Sequence, residues 1–189
     1  MHSYGKDFKY TRHIHLTLAA MAYGLYLVVG FLPFAREMHI GPIATLTILG
    51  GLEFLFDRWG WRILCRIPSL NVHSFNGTYA GTLHAGDGRQ HDAELTVKQT
   101  WSKIEIDFKS GKATSKSYSA SIVEDRLASG QVELVYNYYA HGVHDGGARM
   151  GAHYGTTRLK LLAKGKELEG DYYTEQARDT AGRVFLSST

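Results

Sequence analysis

The chain has 189 residues, with 21 Lys+Arg against 18 Asp+Glu and 44% hydrophobic residues. Its formal excess of +3 lies entirely at one end. Residues 1–69 hold seven Lys/Arg and four Asp/Glu, and residues 70–189 hold fourteen of each. The balanced C-terminal part argues against long duplex nucleic acid, whose binding needs many phosphate contacts. The single cysteine, Cys65, rules out an internal disulfide and agrees with a reducing compartment.

In chain order, Lys6, Lys9 and Arg12 precede an apolar stretch, Ile14–Ala35, of 22 residues without a charge. As a helix this stretch exceeds the ~30 Å hydrocarbon thickness of a bilayer. It is too long for a signal peptide, and no small-residue cleavage site precedes the next apolar stretch. Only Arg36–His39 separates it from Ile40–Phe56, 17 residues with one charge, Glu53. Arg58, Arg62 and Arg66 follow. The spacing predicts a two-helix transmembrane hairpin over residues 1–67; a helical hairpin buried in a soluble bundle is the alternative. The basic flanks predict both ends in the cytoplasm and the connecting loop outside. Trp59 and Trp61 fit an interfacial aromatic belt. Ala20-x-x-x-Gly24 and Thr47-x-x-x-Gly51 offer small-residue faces for close packing, within one hairpin or between protomers. Glu53 is one turn from Asp57, near the cytoplasmic interface.

Residues 68–189 predict a single all-β domain, entered through the linker Arg66–Ser74 with Pro68. Alternating segments recur near 75–84, 90–99, 101–109, 115–123, 131–140, 152–163, 167–174 and 182–188. Gly86-Asp87-Gly88, Ser110-Gly111-Lys112, Ser129-Gly130 and Lys164-Gly165-Lys166 supply the turns. Eight antiparallel strands with short connections predict an up-and-down β-barrel, with a β-sandwich as the alternative. Residues 141–150 form the longest connection and a candidate rim.

Alternation proposes the inward sets. They are Tyr79, Gly81, Leu83; Ile104, Ile106, Phe108; Ser115, Ser117, Ser119, Ser121; and Leu134, Tyr136, Tyr138. The later strands add His153, Gly155, Thr157, Leu159, Leu161, then Leu168, Gly170, Tyr172, Thr174. One end of these sets is apolar and the other is rich in hydroxyls and rings. A lumen of that kind suits a polar ligand with flat rings better than a fatty acid.

Several of these features together resemble a known family. They are the hairpin, Asn76-Gly77-Thr78-Tyr79-x-Gly81, Trp101-x-x-Ile104-x-Ile106 and the Ser115/Ser117/Ser119 alternation. Leu134-x-Tyr136-x-Tyr138, His153-x-Gly155-x-x-x-Leu159, Leu168-x-Gly170-x-Tyr172-x-Thr174 and Thr180-x-Gly182 complete the set. The chain resembles the SMODS-associated two-transmembrane β-strand-rich effectors of bacterial cyclic-oligonucleotide antiphage signalling (CBASS). The resemblance implies a barrel that binds a cyclic dinucleotide made by a partner nucleotidyltransferase. It also implies ligand-driven homo-oligomerisation and disruption of the bacterial inner membrane, which kills the infected cell.

Such a ligand offers two bases and two phosphodiesters. Tyr136, Tyr138, Tyr172 and Trp101 are candidates for stacking, although barrel packing accounts for the same rings. Arg158, Arg178 and His153 are phosphate candidates, with Ser117, Ser119, Thr157 and Thr174 as neutral donors. Strict alternation points Arg158 away from Thr157 and Leu159. His141-x-x-His144-Asp145 has loose spacing for a metal and reads as a solvated loop. No nucleophile elbow, Walker loop or zinc-protease helix occurs, so neither an enzyme nor a cofactor is expected. The alternative functions are a membrane-tethered, lipocalin-like carrier of a lipid or hydrophobic metabolite, and a plain scaffold with a filled barrel.

Overall fold

A computed structural model describes the chain except residues 7–10, 31–41, 68–69, 71, 112, 126–130, 142, 146–147, 163–165 and 176–179. It divides into two compact units: Phe8–Val72, and Met1–Asp7 together with His73–Thr189.

The first unit is helical. Helix α1 spans Thr11–Gly30 and α2 spans Pro42–Leu55. A π-helical turn, Phe56–Gly60, and a short α3, Trp61–Leu64, follow. Pro42 sits at the first position of α2, where its missing N–H costs nothing. Leu18 and Ala22, one turn apart, are the buried apolar residues of α1. His15 Nδ1 lies 3.8 Å from Glu53 Oε1, so the start of α1 meets the end of α2 and the helices run antiparallel. Leu16, Met21, Tyr23, Leu25, Leu27 and Val28 of α1, and Leu46, Phe54 and Leu55 of α2, are exposed. Among the described residues, no helix is both long and apolar enough to cross a membrane. Residues 31–41, where the two apolar stretches meet, lie outside the described residues. Trp59 is exposed but Trp61 is fully buried, so Trp61 does not join the expected aromatic belt.

The second unit is the barrel. Two short strands come first, β1 His2–Ser3 and β2 Gly5–Lys6. The staves are β3 Gly77–Ala85, β4 Gln90–Gln99, β5 Lys103–Ser110, β6 Ala113–Asp125 and β7 Gln131–Ala140. A small hairpin, β8 Val143–Asp145 and β9 Ala148–Met150, occupies the connection expected to be a loop. The last staves are β10 His153–Leu162, β11 Glu167–Thr174 and β12 Ala181–Ser188. The eight long strands pair with their chain neighbours, and β12 pairs with β3. The result is the closed, antiparallel, up-and-down barrel that alternation predicted, not a sandwich. Closure gives each strand one inward face.

The wall has one defect, between β5 and β6. They pair only over Asp107–Ser110 and Ala113–Lys116, next to their turn. Below that point the strands diverge and the N-terminal segment fills the gap. His2 and Ser3 pair with Ile104 and Lys103, while Gly5 and Lys6 run parallel to Ser121 and Ile122. A Cβ on Gly5 would stand 2.7 Å from Ser121 Oγ, so any other residue here would make that hydroxyl turn away. Lys6, counted above as a membrane flank, instead donates to the Trp101 carbonyl. Its Nζ lies 4.2 Å from the centre of the Trp101 ring.

Below the wall, Gln99 is buried and ties three segments together. Its side chain accepts from Phe75 N at 2.8 Å and donates to Tyr4 Oη at 3.0 Å. Its own N–H donates to Asn76 Oδ1 at 3.0 Å. The Tyr4 hydroxyl in turn donates to the Thr100 carbonyl.

Candidate functional site

Register sorts the inward residues into tiers. The floor is apolar: Ile122, Leu134, Leu159, Gly170, Val184 and Leu83 stand side by side around the wall, with Leu161, Leu168 and Leu186 one step below. The next carries Ala120, Tyr136, Thr157, Tyr172 and Gly182. Above it stand Ser117, Tyr138, Gly155 and Thr174. His153 opposes Ala140 one step higher. The expected division into a greasy floor and a polar, aromatic mouth is therefore present.

The glycines explain the posture of the rings. A Cβ on Gly155 would lie 2.4 Å from Tyr138 Cζ and Oη, and one on Gly182 would lie 2.6 Å from Tyr172 Cε1. Each tyrosine thus lies flat across a glycine on the neighbouring strand. The Tyr138 ring centre is 6.2 Å from those of Tyr136 and His153, the latter edge-on. Burial raises the Tyr136 phenol well above its ordinary range, partly offset by a hydrogen bond with Thr157. Tyr136 is therefore a neutral hydroxyl at any physiological pH.

A model of the family described as "Cap15, cyclic dinucleotide receptor domain" matches residues 70–187. That span contains every stave and both polar tiers. The chain belongs to the Cap15 family. A CD-NTase-associated protein 15 from Yersinia aleksiciae is 26% identical over 191 residues, covering 95% of this chain and 90% of that one. A protein of the same name from Staphylococcus schleiferi is 28% identical over 146 residues, 76% and 74% of the two chains. The family membership that the sequence motifs implied is thus shown.

Within this Cap15 barrel the candidates separate. Ser117, Tyr136, Tyr138, Thr157, Tyr172, Thr174 and His153 come together on β6, β7, β10 and β11. Trp101 does not: it is buried in the β4–β5 turn at the opposite end, against Lys6. Arg158 points outward, and its Nη2 donates to Glu133 Oε2 at 2.6 Å. Lys160 Nζ flanks the same carboxylate at 3.7 Å. Ser119 also points outward. A β-bulge between Ser117 and Ser119 pairs Ser119 with Asn137, whose Nδ2 donates to Ser119 Oγ at 2.8 Å. Ser121 falls on the same outer face, opposite Val135. Thr174 stands in the inner register, but its hydroxyl closes the β11–β12 turn by accepting from Thr180 N at 2.9 Å. Arg178 lies outside the described residues.

Alternation cannot reveal this face change, because the serines keep a strict period of two from Ser115 to Ser121 straight through the bulge. The parts of the site that reading missed are Gly155 and Gly182 as ring seats, and His2, whose Nε2 lies 2.9 Å from Ser117 Oγ. The glycines were legible as breaks in strand propensity. A five-residue N-terminal stave carries no comparable signal.

Proposed function

We propose that the barrel receives a cyclic dinucleotide, made by a cognate nucleotidyltransferase, in the two tiers that hold Tyr136, Tyr138, Thr157 and Tyr172. The observation that carries this is the posture of Tyr138 and Tyr172. Each ring is backed by a glycine, and each shares its level with hydroxyl donors. Flat bases suit such rings, and phosphodiesters suit neutral hydroxyl and imidazole donors. The family description supports the ligand class. Receipt of the ligand needs no covalent step, so the protein acts as a sensor and not as an enzyme.

In the same reading, the helical unit is a two-helix anchor in the bacterial inner membrane, with the barrel in the cytoplasm. The exposed apolar residues of α1 and α2 support this, since soluble surfaces rarely show such density. Ligand-bound barrels associate, and their hairpins disrupt the membrane of an infected cell. Exposed Tyr118, Tyr154 and Tyr173 on the outer wall give the barrels apolar surface for that association.

Calorimetry on the full chain in detergent, against cyclic di-AMP, cyclic di-GMP, cyclic GMP–AMP and cyclic UMP–AMP, tests the ligand. One member should bind well. Tyr138→Ala should weaken that binding by ~1–3 kcal/mol, the usual worth of one base stack. Tyr138→Phe, which keeps the ring, should bind nearly as wild type does. Equal affinity for wild type and folded Tyr138→Ala would remove Tyr138 from the site.

A further inference from the structure

We propose that residues 2–6 are the element through which the barrel reports occupancy of its mouth to the helical hairpin. The proposal rests on the ligand site argued above. Its own basis is the fork between β5 and β6.

One hydroxyl pins that fork. Ser117 Oγ accepts from Ile106 N at 3.0 Å, across the last point where β6 can reach β5. His2 Nδ1 lies 3.0 Å from the Ser3 carbonyl, which can only accept, so Nδ1 carries the proton. In the neutral imidazole Nε2 is then the acceptor, and Ser117 Oγ donates to it. The one proton of the hydroxyl is thereby committed to the N-terminal strand, while its oxygen accepts from β5. Ser117 is also the direct register partner of Tyr138 and faces the mouth. A ligand group that takes a hydrogen bond from Ser117, or moves the Tyr138 ring against it, competes with His2.

The strand held this way is short. β1 makes two register pairs with β5, and β2 makes two with β6. Helix α1 begins at Thr11, five residues after Lys6, on the same chain. Residues 2–6 and the first helix are thus consecutive on one chain. If the occupied mouth favours the released strand, the reverse also holds by linkage: holding the strand in place must weaken the ligand.

A cross-strand disulfide makes the test. Ser3 and Lys103 are register partners and both are exposed. The full chain carrying Ser3→Cys, Lys103→Cys and Cys65→Ser is compared, oxidised and reduced, with a control carrying Glu94→Cys, Lys109→Cys and Cys65→Ser. The control bridges β4 to β5 at another exposed pair. Calorimetry uses the same four cyclic dinucleotides. Oxidation of the first protein should weaken binding about tenfold and reduction should restore it, with no change in the control. In the wild type, the bound ligand should speed hydrogen exchange at the amides of residues 2–6. An oxidised protein that binds as tightly as its reduced form, with exchange at residues 2–6 indifferent to ligand, overturns the proposal and leaves the site intact. Failure of the wild type to bind any of the four overturns the site, and this proposal with it.

Discussion

Single side chains in this barrel are decided by which wall face they occupy. Arg158 has the right chemistry for phosphate, but it lies one step out of phase with Thr157 and Leu159. Its guanidinium serves Glu133, which is almost fully buried although it points outward. A buried carboxylate that loses its main partner carries a desolvation cost. Arg158→Ala should therefore lower stability by about 1–2 kcal/mol and leave ligand affinity unchanged. Thermal melting beside calorimetry checks both halves; a large loss of affinity in folded Arg158→Ala would return this residue to the site. The contrast with Tyr138 was legible in part. Alternation separated Arg158 from Thr157, and composition named the rings. It did not show that Gly155 and Gly182 seat those rings, because a cross-strand pair depends on the register of two distant segments.

At the scale of elements, the N-terminal strand is held by charge as well as by backbone pairing. The Met1 ammonium lies 2.8 Å from Glu105 Oε2, with Lys116 Nζ at 3.5 Å and Lys98 Nζ at 3.6 Å from Oε1. The carboxyl is held at about 2, against an ordinary 4.5, first by the hydrogen bond from that ammonium. Lys116 and Lys98 add to this, and burial opposes it. A lowered carboxyl stabilises the folded state fully above its unfolded value, and this contribution is lost as pH falls through the folded one. The melting temperature of Glu105→Gln should therefore lie below that of wild type near neutrality. The gap should close as pH falls from 4.5 toward 2. A gap that persists unchanged at the acid end would show that Glu105 acts by packing and not by charge. Neither the charge cluster nor the stave was visible in advance, since Met1 and Glu105 are joined only by the closure of the barrel.

For the whole molecule, the small-residue faces of the helical unit offer close packing to a second helix. Among the described residues, Leu18 and Ala22 are buried on α1, and a Cβ added to Gly24 or Gly51 would meet nothing within 4 Å. Small residues at Ala20 and Gly24 let a helix backbone come close along this face, within one hairpin or between protomers. If hairpins associate along it, Gly24→Leu should abolish ligand-dependent dye leakage from vesicles while ligand affinity stays near wild type. Leakage equal to wild type at equal loading would show that this face does not transmit the signal.

What the sequence determined by itself is what repeats along the chain. Period-two alternation and glycine-rich turns specified eight staves and the order in which they pair, because consecutive antiparallel strands need only local turns to find each other. Tyr136, Tyr138, Thr157 and Tyr172 followed from the same periodicity. The tertiary structure alone decided what depends on closure. The β-bulge at Tyr118 turned Ser119 and Ser121 to the outer face. The widening between β5 and β6 opened a slot that residues 2–6 complete. Trp101 went to the far end, under Lys6. None of these is a property of a local segment: each arises where segments far apart in sequence must share one curved wall, and the hydrogen bonds left over by that curvature select which residues fill it.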